Sequence, residues 1–214
     1  MKKLLETWKK NVLFEHNSFP HQIYCDMDGV LVDFVTGAVD RINQELDNLA
    51  GEGKHHKHLV VSLKQKGRKY VEPGDISQTS SKRIQVARKY MYKLLANNTK
   101  FWSELPWMED GQRLWSYIGQ YNPYILTTPM EKGSESGKEA WIRKNLNPFP
   151  MKIYMSDEKY KHAIGEDGKP NILIDDFPQN TVPWVDRGGI AILHKSADET
   201  IQKLQALQTN GRLV

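Results

Sequence analysis

Residues 23–34 read IYCDMDGVLVDF. A short apolar run, Ile23 to Cys25, leads straight into Asp26 and Asp28, then Gly29, then Val30 to Val32. Two carboxylates this close repel each other, and glycine weakens a strand. Both features make sense if a strand ends at Asp26 and delivers the two acids to a site. There a cation or a reacting group offsets their repulsion, and Gly29 lets the chain turn sharply and approach a ligand closely.

Outward from this stretch the hydrophobic period changes. The spacing of Phe34, Val35, Ala38, Ile42 and Leu46 predicts a helix over 33–49. Beyond 109, short apolar runs alternate with helical ones. YILTT (124–128), MKIYMS (151–156), NILIDD (171–176) and GIAILH (189–194) read as strands. Helices are expected over 111–120 and 136–145, and Ser196 with Glu199 forms a capping box opening a last helix to about residue 208. Strands alternating with helices predict an α/β fold, a parallel sheet covered by helices on both faces. Residues 50–108 break the pattern: glycines, a turn signal at 72–75, a helix over 80–97, and few strand runs. The expected organisation is a core of 1–49 and 109–214 with a mostly helical cap, 50–108, inserted after the first strand–helix unit. Residues 1–16 carry a helical period through Leu4, Leu5, Trp8, Val12 and Leu13.

Composition fits that plan. The chain has 214 residues, 39% of them hydrophobic, enough for one core with an insertion. A single cysteine, Cys25, excludes a disulfide framework and fits a reducing compartment. In MKKLLETWKK, Glu6 and Lys9 interrupt any signal-like apolar run. No stretch approaches the roughly 18 apolar residues of a membrane span. A cytoplasmic protein without a membrane partner is expected. The net charge of +4 hides an imbalance: residues 54–100 hold 12 Lys+Arg against 2 Asp+Glu. That stretch is suited to an anion such as a phosphate backbone, or it is simply a solvated face. His55, His56 and His58 match no metal-site spacing and read as a solvated loop.

In open parallel sheets ligands bind beyond the carboxyl ends of the strands. Those ends carry Asp26 with Asp28, Thr127 with Thr128, Lys159 with Lys161, and Asp175 with Asp176. Several carboxylates without His or Cys make a hard, all-oxygen site suited to Mg2+. A carboxylate can be a nucleophile, a second can move protons, and a hydroxyl and a lysine can hold phosphoryl oxygens.

DMDGV at 26–30, LTT at 126–128, a lysine near 159 and LIDD at 173–176 resemble, in order, the four motifs of the haloacid dehalogenase-like phosphatases. In that superfamily an acid at the position of Asp28 marks phosphatases rather than ATPases or dehalogenases. DMDGVLVDF, FWSELPWMEDG at 101–111, TTP at 127–129 and KEAWIRK at 138–144 further resemble the 5'(3')-deoxyribonucleotidases. The resemblance implies a Rossmann-like core with a small helical cap, and a Mg2+-dependent enzyme that hydrolyses a phosphomonoester, most simply a nucleotide. Carried over, Asp26 is nucleophile and metal ligand, and Asp28 is acid/base and metal ligand through its carbonyl. Thr127 and a lysine, Lys159 by the K-Y-K-H-A spacing with Lys161 as competitor, bind phosphate. Asp176 binds the metal with Asp175 in support. Gly29, Phe34, Trp102, Thr128 and Lys138 line the substrate site, Phe34 by stacking on a base. The family also suggests a homodimer. The cap here is longer and more basic than a mononucleotide enzyme requires, so phosphorylated nucleic-acid ends are a second substrate class. A catalytically silent binding protein of the same fold is a third reading. Phe34, Trp102 and Lys138 are equally readable as packing or surface residues, and Cys25 as an inert strand residue.

Overall fold

The structure is a computed structural model that describes residues 19–51 and 82–210. The expected helix at 1–16, the histidine-rich loop and the turn at 72–75 lie outside these residues. The described chain forms two compact units: residues 19–31, 108–127 and 146–210, and residues 32–51, 82–107 and 128–145.

The first unit is built on a five-stranded parallel sheet. Its strands are β1 (Ile23–Cys25), β2 (Tyr124–Thr127), β3 (Lys152–Met155), β4 (Ile172–Asp175) and β5 (Ile190–Leu193), in the order β3-β2-β1-β4-β5. Cys25 stands in register with Ile125 on one side and Ile174 on the other. The central strands are buried on both faces, which is why they read as continuous apolar runs rather than alternating ones. Growth of the sheet reverses at β1: β2 and β3 extend one way, β4 and β5 the other. That reversal is the topological switch point, where the carboxyl ends of adjacent strands open a crevice. One sheet face is packed by Tyr24, Leu126, Leu173, Ala163 and Trp184. Trp184 belongs to a helix, Pro178–Asp186, that the sequence reading places no element on. Its two prolines hide it. Pro178 sits at the first helical turn, where a missing N–H costs nothing.

The second unit contains α1 (Phe34–Gly51), α2 (Lys82–Leu95), α3 (Thr99–Ser103) and the helix Lys132–Asn145. Asp33 caps α1, its Oδ1 accepting from Thr36 N at 3.0 Å. Ala38, Val39, Ile42 and Leu46 of α1 pack on Met91 and Leu95 of α2. This grouping differs from the boundaries expected from the sequence, because α1 and the helix 132–145 cluster with residues 82–107. The helix at 132–145 also starts four residues before the expected 136. Ser134 Oγ accepts from Met130 N at 2.7 Å and Glu131 N at 3.0 Å, fixing the first turn early. Among the described residues no helix is long and apolar enough to cross a membrane.

Candidate functional site

Register places the acids. Asp26 follows the last residue of β1, and its N–H donates to Ile174 O at 2.8 Å, so it emerges beside Asp175. Thr127, fully buried, ends β2 on the other side of β1. Beyond β3 a short 3-10 helix, Lys159–His162, sends Lys159 back toward the crevice. Its Nζ lies 2.8 Å from Asp26 Oδ1 and 2.7 Å from Asp175 Oδ2, with Lys159 2% exposed. Lys161 points elsewhere, pairing with Glu158 at the surface. Of the two candidate lysines, then, it is Lys159 that the backbone brings to the acids.

Asp175 is surrounded by donors. Beside Lys159, Phe177 N donates to Oδ1 at 2.9 Å, and Asn180 Nδ2 reaches Oδ1 and Oδ2 at 3.1 and 3.0 Å. Asn180 is a residue the sequence reading missed. Its signal is positional: it lies on the first turn of a helix that the prolines conceal. Asp26, Asp175 and Asp176 each offer a carboxylate oxygen, all within 4.8 Å of one another, a group that could hold a metal ion. Two observations fit a hard divalent cation. The donor set is all oxygen. Asp26 Oδ1 is buried and, although near Lys159, makes no aligned hydrogen bond. Electrostatics agree. Burial, then the Asp26 and Asp175 carboxylates, push the Asp176 carboxyl up to about 7. Burial and then Asp26 push Asp175 up to about 6, against the opposing pull of Lys159. Burial would lower Lys159, but Asp26 and Asp175 outweigh it and hold the ammonium at about 12. The site has more negative charge than one lysine neutralises.

Gly29 closes the cluster. Its φ is +74°, and a Cβ there would lie 2.2 Å from Asp176 Oδ2. Only glycine permits both the turn and the approach. Asp28, half-buried, lies between Asp26 and this turn.

No protein-family model matches the chain, and no curated protein matches it. Solved structures do. A hydrolase from Streptococcus pneumoniae aligns with a TM-score of 0.50 at 11% identity, over 86% of this chain and 98% of its own. An L-2-haloacid dehalogenase from Xanthobacter autotrophicus, with chloropropionic acid covalently bound, aligns at TM-score 0.43 and 10% identity, over 79% and 75%. A haloacid dehalogenase family enzyme from Bacteroides thetaiotaomicron, in complex with magnesium and inorganic phosphate, aligns at 0.40 and 16%, over 82% and 94%. The chain shares its fold, a parallel α/β sheet with helices, with the Streptococcus pneumoniae hydrolase.

On the α/β core of the first unit lie Asp26, Asp28, Gly29, Thr127, Lys159, Asp175 and Asp176. The other expected residues, Phe34, Trp102, Thr128 and Lys138, belong to the second unit. Phe34 stacks on Trp102, with centroids 5.1 Å apart and planes 7° from parallel. Trp102 is 1% exposed and donates Nε1–H to Leu95 O at 2.8 Å. Lys138, expected to meet substrate, is fully buried, with Nζ 5.0 Å from the Trp102 ring and donating to Thr128 O at 2.8 Å. Trp102 and Lys138 are therefore interior side chains. Their burial follows from Gly137, one residue before Lys138, where a Cβ would stand 2.4 Å from Trp102 Cβ.

Proposed function

We propose that the chain is a Mg2+-dependent phosphomonoester hydrolase, and within that class a 5'(3')-nucleotidase acting on (deoxy)nucleoside monophosphates. The observation that carries the reaction class is Lys159 bridging Asp26 and Asp175 at the switch point, with Asp176 beside them. The narrower substrate rests on the resemblance of residues 26–34, 101–111, 127–129 and 138–144 to the deoxyribonucleotidases.

In this reading Asp26, Asp176 and the Asp28 carbonyl, with Asp175 in support, would hold the cation, which supplies charge neutralisation for the phosphoryl oxygens when bound. An Asp26 oxygen attacks phosphorus, forming an acyl phosphate, and the ester P–O bond breaks. Asp28 gives its proton to the leaving hydroxyl. In the second step the Asp28 carboxylate takes a proton from water, which attacks phosphorus. The P–O bond to Asp26 breaks, and inorganic phosphate leaves. Lys159 and Thr127 hold the equatorial oxygens. Lys159 already contacts Asp26, so the nucleophile and an oxygen of the transferring group share one cation and are oriented together. Selection of the leaving group is assigned to the cap at 50–108 and to Phe34.

The basic stretch at 54–100 favours a second reading, a phosphatase acting on nucleic-acid ends. Phosphate release with Mg2+ from 5'- and 3'-mononucleotides, beside 3'-phosphorylated oligonucleotides, separates the two. Turnover of mononucleotides, abolished by Asp26→Asn, is the expected result. Turnover of oligonucleotides alone, falling steeply with added salt, moves the assignment to nucleic-acid ends. An Asp26→Asn variant as active as the native chain overturns the mechanism.

A further inference from the structure

The first unit has a second concavity, of about 340 Å3, at the amino edge of the sheet. Tyr24, Tyr124, Lys152 and Asn171 line it from the starts of four strands, with Tyr154 from β3 and Glu166 from the turn at 165–168. The acidic cluster lies toward the opposite ends of the same strands, about 7 Å from Tyr24 along β1 and about 13 Å from Asn171 along β4 at the usual rise per residue. Three phenol rings meet here. Tyr24 lies edge-on to Tyr124 at 5.1 Å, and Tyr154 stands 5.8 Å from Tyr124 and 6.0 Å from Tyr24. The Lys152 ammonium sits 5.4 Å from the Tyr124 ring centroid.

The walls are tied together. His21 Nδ1 contacts Pro170 O at 2.7 Å, Ile172 N donates to Gln22 O at 2.9 Å, and Asn171 Nδ2 donates to His162 O at 2.8 Å. Gly165 N donates to Lys169 O at 2.8 Å, closing the turn that carries Glu166. A pocket of this size with fixed walls and convergent polar groups is how small-ligand sites are built. Charge decides the class of ligand. Lys152 and Lys169 are balanced by Glu166 and Asp167, so the lining rewards neither an anion nor a cation. It offers ring surface for stacking, with the Lys152 ammonium as donor and the Glu166 carboxylate as acceptor in the same lining. A planar heterocycle whose edge carries a donor beside an acceptor matches that arrangement.

We propose that this pocket binds an uncharged, nucleobase-bearing ligand, a nucleoside or free base, independently of the acidic cluster. The ligand class follows from the pocket itself. Only its meaning, as a second site for the product of the reaction, rests on the nucleotidase reading. Stacking on the phenol rings favours bases without requiring one sequence or sugar.

The test is an NMR titration of the full chain, in EDTA, with the common nucleosides and their 5'-monophosphates, using native protein and Asp26→Asn. Saturable nucleoside binding in both, with the monophosphate bound no more tightly, is expected. Tyr124→Leu should weaken it at least tenfold. Lys152→Met and Glu166→Gln, both at exposed positions that do not threaten folding, should each weaken it severalfold. No saturable binding, or binding that all three variants leave unchanged, overturns the proposal. Phosphate release from nucleotides is scored on the same preparations. Binding without turnover leaves the pocket assigned and removes only the product interpretation.

Discussion

Lys159 Nζ and Asp175 Oδ2 stand 2.7 Å apart, both shut away from water. A buried pair of this kind contributes little net stability relative to a well-packed apolar pair, but breaking it leaves a charge stranded. Here two carboxylates would be stranded, because the same ammonium also faces Asp26. Lys159→Met is therefore expected to cost about 3–5 kcal/mol in urea unfolding and to abolish phosphate release. Adding Asp175→Leu to it should recover part of the stability and none of the activity. Full stability in Lys159→Met alone would show that the bridge is not formed in solution.

The metal-free protein should become less stable as pH rises from about 4 to about 7. Asp175 and Asp176 hold their protons to about 6 and about 7 in the folded chain, against an ordinary 3.8. Through that window the folded state binds more protons than the unfolded one, so stability falls with pH. Lys159 acts at the other end. Its contribution is full below its ordinary 10.5 and is lost as pH rises through about 12. A cation at Asp26, Asp175 and Asp176 favours the ionised carboxylates. Mg2+ should accordingly raise the melting temperature more at about pH 8 than at about pH 5, where protons compete. Equal shifts at both would place the cation elsewhere.

Gly29→Ala tests the geometry of the crevice. The left-handed backbone at φ +74° costs an alanine roughly 1–2 kcal/mol. The added methyl must also displace Asp176. Mg2+ affinity, read from the melting shift across a titration, should fall about tenfold or more. Unchanged affinity would mean that Asp176 is not a ligand.

Much of this architecture was legible in the residues. The strand runs named every sheet strand seen in the described residues, and the acids following β1 and β4 pointed to the crevice, because burial on both faces and carboxylates at strand ends leave local signatures. The helix Pro178–Asp186 and its Asn180 were not legible, since proline punctuation outweighs a short helix on local propensity. Packing was one of two open readings for Trp102, and the burial of Lys138 was not legible. A lysine normally signals surface, and only the approach permitted by Gly137 and the Thr128 carbonyl turns it inward.

Trp102 supplies the last test. As a substrate contact it would affect KM and leave stability nearly untouched. As an interior side chain, stacked on Phe34, covered by Lys138 and bonded to Leu95 O, it should do the reverse. Trp102→Ala is expected to cost about 3–5 kcal/mol, read as a lower urea midpoint. Trp102→Phe keeps the stacking surface but leaves the Leu95 carbonyl without its donor, and should cost about 1–3 kcal/mol. KM measured on the folded fraction should change little in Trp102→Phe. A large rise in KM at native stability would return Trp102 to the substrate site.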